Sequence, residues 1–108
     1  MFDLCLFDLD DTLVRTEDLK EVRESGKNID TVAYREKVSL AFDSRNSREV
    51  YKIGLLKKIR KEFPDLKLGI FTRAPRAYAE TVLEKAYPGF NWDIIVAFED
   101  VDKTRRSV

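Results

Sequence analysis

Histidine is absent from this 108-residue chain. Its absence removes the commonest general base at neutral pH and the imidazole ligands of a His-rich zinc site. There is one cysteine, Cys5, which excludes a disulfide framework and makes the reducing cytoplasm the expected compartment. Neither sign of charge is in excess, since 20 Lys and Arg balance 20 Asp and Glu. That balance supplies no basic stripe for nucleic acid and no acidic tail. No apolar run approaches the roughly 18–20 residues that a bilayer crossing needs. The first apolar run is interrupted by Asp3 and lacks the basic start of a signal peptide. Expected partners therefore include neither nucleic acid nor membrane, and the length allows one domain, residues 1–108.

What is present is an alternation of short apolar runs and amphipathic stretches. Residues 2–7 form a short, largely apolar run that ends in acids and does not alternate, the pattern of a parallel strand covered on both faces. Residues 66–71 and 92–98 read the same way, the last being richest in β-branched side chains. The polar stretch 16–28 closes in a turn signal and implies a short helix or surface loop. Asp30 or Thr31 would cap a helix with Tyr34, Val38, Ala41 and Phe42 on one face. Ser47 would cap another over about 48–63, with Val50, Ile53, Leu56, Ile59 and Phe63 as its apolar stripe and Pro64 as its stop. Pro75 opens a third, whose apolar face is Tyr78, Val82, Leu83 and Ala86. Strands alternating with helices imply a parallel sheet with right-handed crossovers. Its strands would end in Asp8, Thr72 and Glu99 on one rim, where ligands bind in open α/β sheets.

The chemistry concentrates on that rim. Asp8 and Asp10 leave a buried strand two residues apart, with the Thr12 hydroxyl close behind. Carboxylates held this way suit a hard cation and phosphoryl chemistry. A strand-end acid pair alone is equally a turn former or a helix cap, and Thr72 alone reads as a cap for the Pro75 helix. Cys5 reads as a core residue rather than a thiolate nucleophile, and Trp92 as core rather than a stacking platform.

Taken together, Phe7-Asp8-Leu9-Asp10-Asp11-Thr12-Leu13 resembles the first motif of the haloacid dehalogenase (HAD) superfamily of phosphohydrolases, Asp-x-Asp-x-Thr after an apolar strand. Ile70-Phe71-Thr72-Arg73 resembles its second motif, a strand that ends in Thr or Ser. Ile94-Ile95-Val96-Ala97-Phe98-Glu99-Asp100-Val101, with the basic residues after it, is similar to the approach to its third motif, a Lys or Arg. The resemblance implies a Rossmann-like three-layer α/β/α fold with a parallel sheet. It also implies a Mg²⁺-dependent phosphatase acting on a phosphomonoester. By matching position, Asp8 would be the nucleophile that forms an aspartyl-phosphate. Asp10 would be the general acid and base. Mg²⁺ would be bound by the Asp8 carboxylate and the Asp10 carbonyl. Thr72, Arg73 and Lys103 would contact the substrate phosphate, with Arg105 as the alternative to Lys103.

The chain departs from that family in two ways. The fourth motif, an acidic set after a further strand, would be expected beyond Lys103, and Glu99-Asp100 is misplaced by spacing to replace it. The expectation is a truncated domain with a weak metal site, or a homo-oligomer that completes the sheet. A catalytically incomplete HAD-like fragment acting as a binding or assembly module is the alternative function. Between the first two motifs, only residues from about 16 to 46 are left for a small insertion or minimal cap. That predicts a nearly lidless site.

Overall fold

In the computed structural model, which describes residues 4–101, three short apolar segments pair as a parallel sheet. Strands β1 (Leu4–Asp8), β2 (Lys67–Phe71) and β3 (Ile94–Val96) lie in the order β1-β2-β3. Leu6 is registered against Gly69, Asp8 against Phe71, and Gly69 against Ile94. Helices α1 (Lys20–Glu24), α2 (Val32–Asp43), α3 (Ile53–Glu62) and α4 (Arg76–Ala86) connect the strands. A 3₁₀ turn, Glu17–Leu19, leads into α1. The result is an α/β domain compatible with a Rossmann-like fold.

One core holds these elements together. Alternation along a strand sends Phe7, Ile70 and Ile95 to one face of the sheet. There they meet Leu13, Val38, Leu56, Tyr78, Val82 and Leu83 from the helices and from the turn after β1. Helix α2 packs against α4 and buries Tyr34, Val38 and Phe42, and the Thr31 hydroxyl caps it by accepting from the Tyr34 N–H at 3.1 Å. Trp92 packs edge-on against Phe7, Tyr87 and Phe90, as a core residue does.

The described residues depart from a three-layer arrangement. The opposite face of the sheet carries Leu6, Phe71 and Ile94 at 45%, 45% and 44% exposure, so helices cover one face only. A largely apolar run that does not alternate predicts cover on both faces, yet here the second face meets no partner among the described residues. A second correction concerns the helix expected over 48–63. Helix α3 begins at Ile53, and Ser47 takes a left-handed φ of 57° rather than a cap geometry. The reason lies in Arg48, which is buried beneath the preceding segments, and in pairing of this stretch with the turn after β1. The Arg15 N–H donates to the Arg48 carbonyl at 2.8 Å, and the Val50 N–H to the Leu13 carbonyl at 2.8 Å. Those bonds hold 48–50 extended, where helical geometry cannot make them. Only Leu56 of the expected stripe is fully buried, and Phe63 is exposed.

Residues 16–46 form no separate body. Leu19 and Val22 join the same core as α2, while α1 and the turn after it border the sheet rim. Among the described residues, no helix is long and apolar enough to cross a membrane.

Candidate active site

Strand β1 delivers Asp8 at its last residue, and a tight turn then brings Asp10 back beside it. The Leu9 carbonyl accepts from the N–H groups of Thr12, Leu13 and Val14 at 3.4, 3.1 and 3.3 Å. Asp11 adopts a φ of 61°, a left-handed conformation that Asp tolerates better than most residues, and its N–H donates to the Val14 carbonyl. Burial of Leu9, Leu13 and Val14 anchors the turn from below, so the acids stay at the surface while the apolar residues hold the loop.

The two acids meet different surroundings. The Asp8 carboxylate is exposed and accepts only a long hydrogen bond, 3.4 Å, from the Thr12 hydroxyl. Asp10 is anchored through one oxygen. Its Oδ1 accepts from the Thr16 hydroxyl at 2.7 Å and from the Tyr78 hydroxyl at 2.8 Å. Nη1 of Arg23 lies 3.1 Å from the same oxygen. That nitrogen is buried and makes no aligned hydrogen bond, so its attraction to Asp10 is ionic rather than directional. All three contacts converge on Oδ1, and Oδ2 is left without a partner among the described residues.

The neighbours of Asp10 are themselves perturbed. Burial, then the nearby Asp10 charge, raises the Tyr78 pKa far above its ordinary value, so the phenol remains a donor. Burial would lower the Arg23 pKa, but Asp10 and Tyr78 together outweigh it and the net shift is upward. Thr16 is tied in a second way, since its N–H donates to Asp11 Oδ1 at 3.0 Å.

Across the rim, Thr72 follows β2 and is buried. Its N–H donates to the Val96 carbonyl at 2.9 Å, and its hydroxyl oxygen accepts from the Ala74 N–H at 3.1 Å. The hydroxyl hydrogen is thereby directed away from that bond. Thr72 shapes the turn before α4, although Pro75 is the capping residue of that helix. Arg73 is exposed beside it and forms no ion pair with any described residue.

Asp8, Asp10, Thr72 and Arg73 line a single cleft of about 1140 Å³ at the carboxyl ends of the strands. Arg23, Glu24 and Lys27 border it from α1 and the turn that follows. Lys27 Nζ lies 3.2 Å from Glu24 Oε2 and 5.3 Å from the centre of the Phe98 ring. Four of the five site residues expected from the sequence thus meet in one place. Lys103, the fifth, and its alternative Arg105 lie outside the described residues.

Glu99 and Asp100 serve another purpose. Glu99 Oε1 accepts from the Arg76 N–H at 2.8 Å, at the start of α4, and its Oε2 accepts from the Asn28 N–H at 3.3 Å. Asp100 accepts from the Ala97 N–H at 2.8 Å and pairs with the Arg76 side chain. These acids brace the helix start and the 26–29 turn. Among the described residues, no group of three or more His, Cys, Asp or Glu side chains is disposed to hold a metal.

Three contributors escape sequence reasoning. Arg23 sits in a polar stretch with no distinguishing pattern, Tyr78 falls in an apolar helix stripe, and Thr16 looks like a loop residue. Only their convergence on Asp10 marks them. Comparison of the chain with protein-family models, with curated proteins and with solved structures finds no match.

Proposed function

We propose that this chain is a HAD-like, Mg²⁺-dependent phosphatase domain that hydrolyses a phosphomonoester through Asp8. One observation carries the reading. An exposed carboxylate, an anchored carboxylate, a buried hydroxyl and an uncommitted arginine share one cleft at the strand ends. Phosphoryl transfer needs a nucleophile, an acid–base group and donors for the equatorial oxygens, and this set supplies each.

In this mechanism Asp8 attacks phosphorus, and the bond to the ester oxygen breaks as the aspartyl-phosphate forms. Asp10 gives its proton to the departing oxygen. Oδ1 is already held by Thr16, Tyr78 and Arg23, so the free Oδ2 is the oxygen suited to carry that proton. Water then attacks the aspartyl-phosphate, Asp10 takes a proton from it, and inorganic phosphate leaves with Asp8 restored. The Thr72 hydroxyl and the Arg73 guanidinium bind the phosphoryl oxygens throughout.

The donor set fits a weakly held Mg²⁺. The Asp8 carboxylate is open to the cleft, and the Asp10 carbonyl takes no part in the hydrogen bonds of its turn. These two would hold the ion, with water and phosphate as its other ligands, and it would offset the repulsion between Asp8 and substrate.

The test is hydrolysis of p-nitrophenyl phosphate with and without Mg²⁺. Mg²⁺-stimulated turnover is expected, with loss of at least about a thousandfold in Asp8→Asn and an unchanged circular dichroism spectrum. A variant with full activity ends this reading. The second reading is a catalytically incomplete HAD-like chain acting as a binding or assembly module. No Mg²⁺-stimulated turnover by the intact chain would select it.

A further inference from the structure

The Asp8 carboxylate leaves the sheet on the face that, among the described residues, helices α1–α4 do not cover. Side chains two apart on a strand share a face, so Leu6 and Asp8 point the same way, and Phe71 stands registered against Asp8. Between Leu6 and Ile94 the sheet carries Gly69. A Cβ there would lie 2.5 Å from Ile94 Cγ2 and 2.9 Å from Leu6 Cδ2, so those two side chains close over the glycine. The outcome is a continuous apolar floor that runs from the nucleophile along the sheet.

The same cleft that holds Asp8 is lined by Leu6 and Phe71, with Phe98 and Val101 as its far wall. Its volume of about 1140 Å³ is far more than a phosphate occupies. Arg73 stands beside Thr72 with no ion pair among the described residues, while Lys27 over Phe98 is paired with Glu24. A polar head with one uncommitted cation, joined to an apolar floor, matches an amphiphilic ligand with its charge at one end. A sugar or polyol phosphate would set its hydroxyls on a surface that offers them no partner, at a cost in desolvation.

We propose that the substrate is a phosphomonoester whose organic group is apolar, with that group lying across Leu6 and Phe71. This rests on the phosphatase reading for its phosphate end. The face that carries Leu6 and Phe71 is thus the specificity surface for the leaving group.

The test compares 3-phenylpropyl phosphate with propyl phosphate, whose leaving alcohols are nearly equal in acidity, so that chemistry does not bias the ratio. The kcat/KM ratio is expected to favour the phenyl compound by about tenfold, from one ring's worth of buried apolar area. Phe71→Ser is expected to bring the ratio to within about twofold of unity. Phe71 is already half exposed, so the fold should tolerate that change, and a thermal melt checks it. Calorimetric binding of 3-phenylpropylphosphonate and propylphosphonate is measured alongside. Equal rates, equal affinities, or a ratio that Phe71→Ser leaves intact would overturn the proposal while leaving the phosphatase reading in place. Selective phosphonate binding without hydrolysis of either ester would retain the ligand class and remove the phosphatase. A wild-type dimer that Phe71→Ser dissociates, with no ligand preference, would give the face to a second copy of this chain and end the proposal.

Discussion

Replacing Arg48 with methionine offers the sharpest test of the packing, because a sequence-based reading puts this residue in the first turn of a helix, outside its apolar stripe. Arg48 is 1% exposed, and its guanidinium donates five hydrogen bonds. Two reach Asp18 Oδ1 and Oδ2, at 2.8 and 2.7 Å. The others reach the carbonyls of Arg15 at 2.8 Å, Phe42 at 2.9 Å and Ala41 at 3.3 Å. Phe42 and Ala41 belong to the last turn of α2, and their carbonyls also accept from the Arg45 N–H at 3.5 Å and from the Ser44 N–H and hydroxyl at 3.3 and 2.7 Å. Arg48 therefore adds to the C-terminal capping of α2 and ties it to the segment before α1. Arg48→Met keeps much of the apolar volume and removes all five bonds. The Asp18 side chain is 38% exposed and regains water on its own. The Ala41 and Phe42 carbonyls keep their bonds from Ser44 and Arg45, so the Arg15 carbonyl loses most, at about 1–3 kcal/mol for a group left unsatisfied. The expected cost is about 2 kcal/mol. For a chain of this size that corresponds to a fall in Tm of roughly 8–16 °C. Urea unfolding followed by circular dichroism should show a lower midpoint at constant m. A loss below about 1 kcal/mol would place Arg48 among ordinary surface pairs and refute the capping argument.

Two further tests probe the same region. Asp18 is held at about 2, below its ordinary 3.8, chiefly by hydrogen bonds from Arg48. A carboxyl with a lowered folded-state pKa adds stability above its unfolded pKa and loses it as pH falls through the folded one. Some stability, about 1 kcal/mol after allowance for the exposure of Asp18, should disappear between about pH 4 and pH 2. Melts of Asp18→Asn over that range should lack this component, and an acid loss equal to wild type would contradict it. Gly26→Ala addresses steric fit: its Cβ would sit 2.1 Å from Cζ of Tyr34, a buried ring whose hydroxyl donates to the Val22 carbonyl at 2.7 Å. Overpacking of this kind should cost about 2 kcal/mol in chemical denaturation, and an unchanged midpoint would mean that the ring moves aside freely.

Much of this molecule is legible in the sequence. Short apolar runs locate β1 and β2, and 3.6-residue periods locate α2 and α4, because each buries apolar side chains that its own residues announce. The acids at the end of β1 and Thr72 at the end of β2 follow from the same logic, since a parallel sheet collects its strand ends on one rim. Helix α3 is where that logic fails. Ser47 and Glu49 make a good local start signal, but long-range pairing of 48–50 with 13–15 and the burial of Arg48 override it. Propensity contributes tenths of a kcal/mol per residue, whereas a buried guanidinium with five bonds contributes several times that.

The site divides the same way. Residue order alone places Asp8 and Asp10 two apart, Thr72 and Arg73 after a second strand, and no histidine anywhere, which together narrow the chemistry to carboxylates. Only the tertiary structure decides that Tyr78, Thr16 and Arg23 converge on one oxygen of Asp10. The tertiary structure alone also sets Asp8 on the sheet face that carries Leu6 and Phe71. Sequence neighbours determine which groups a strand end presents. Which partners meet those groups depends on segments brought together across the chain, 68 residues apart for Tyr78 and Asp10, and no local pattern records that distance.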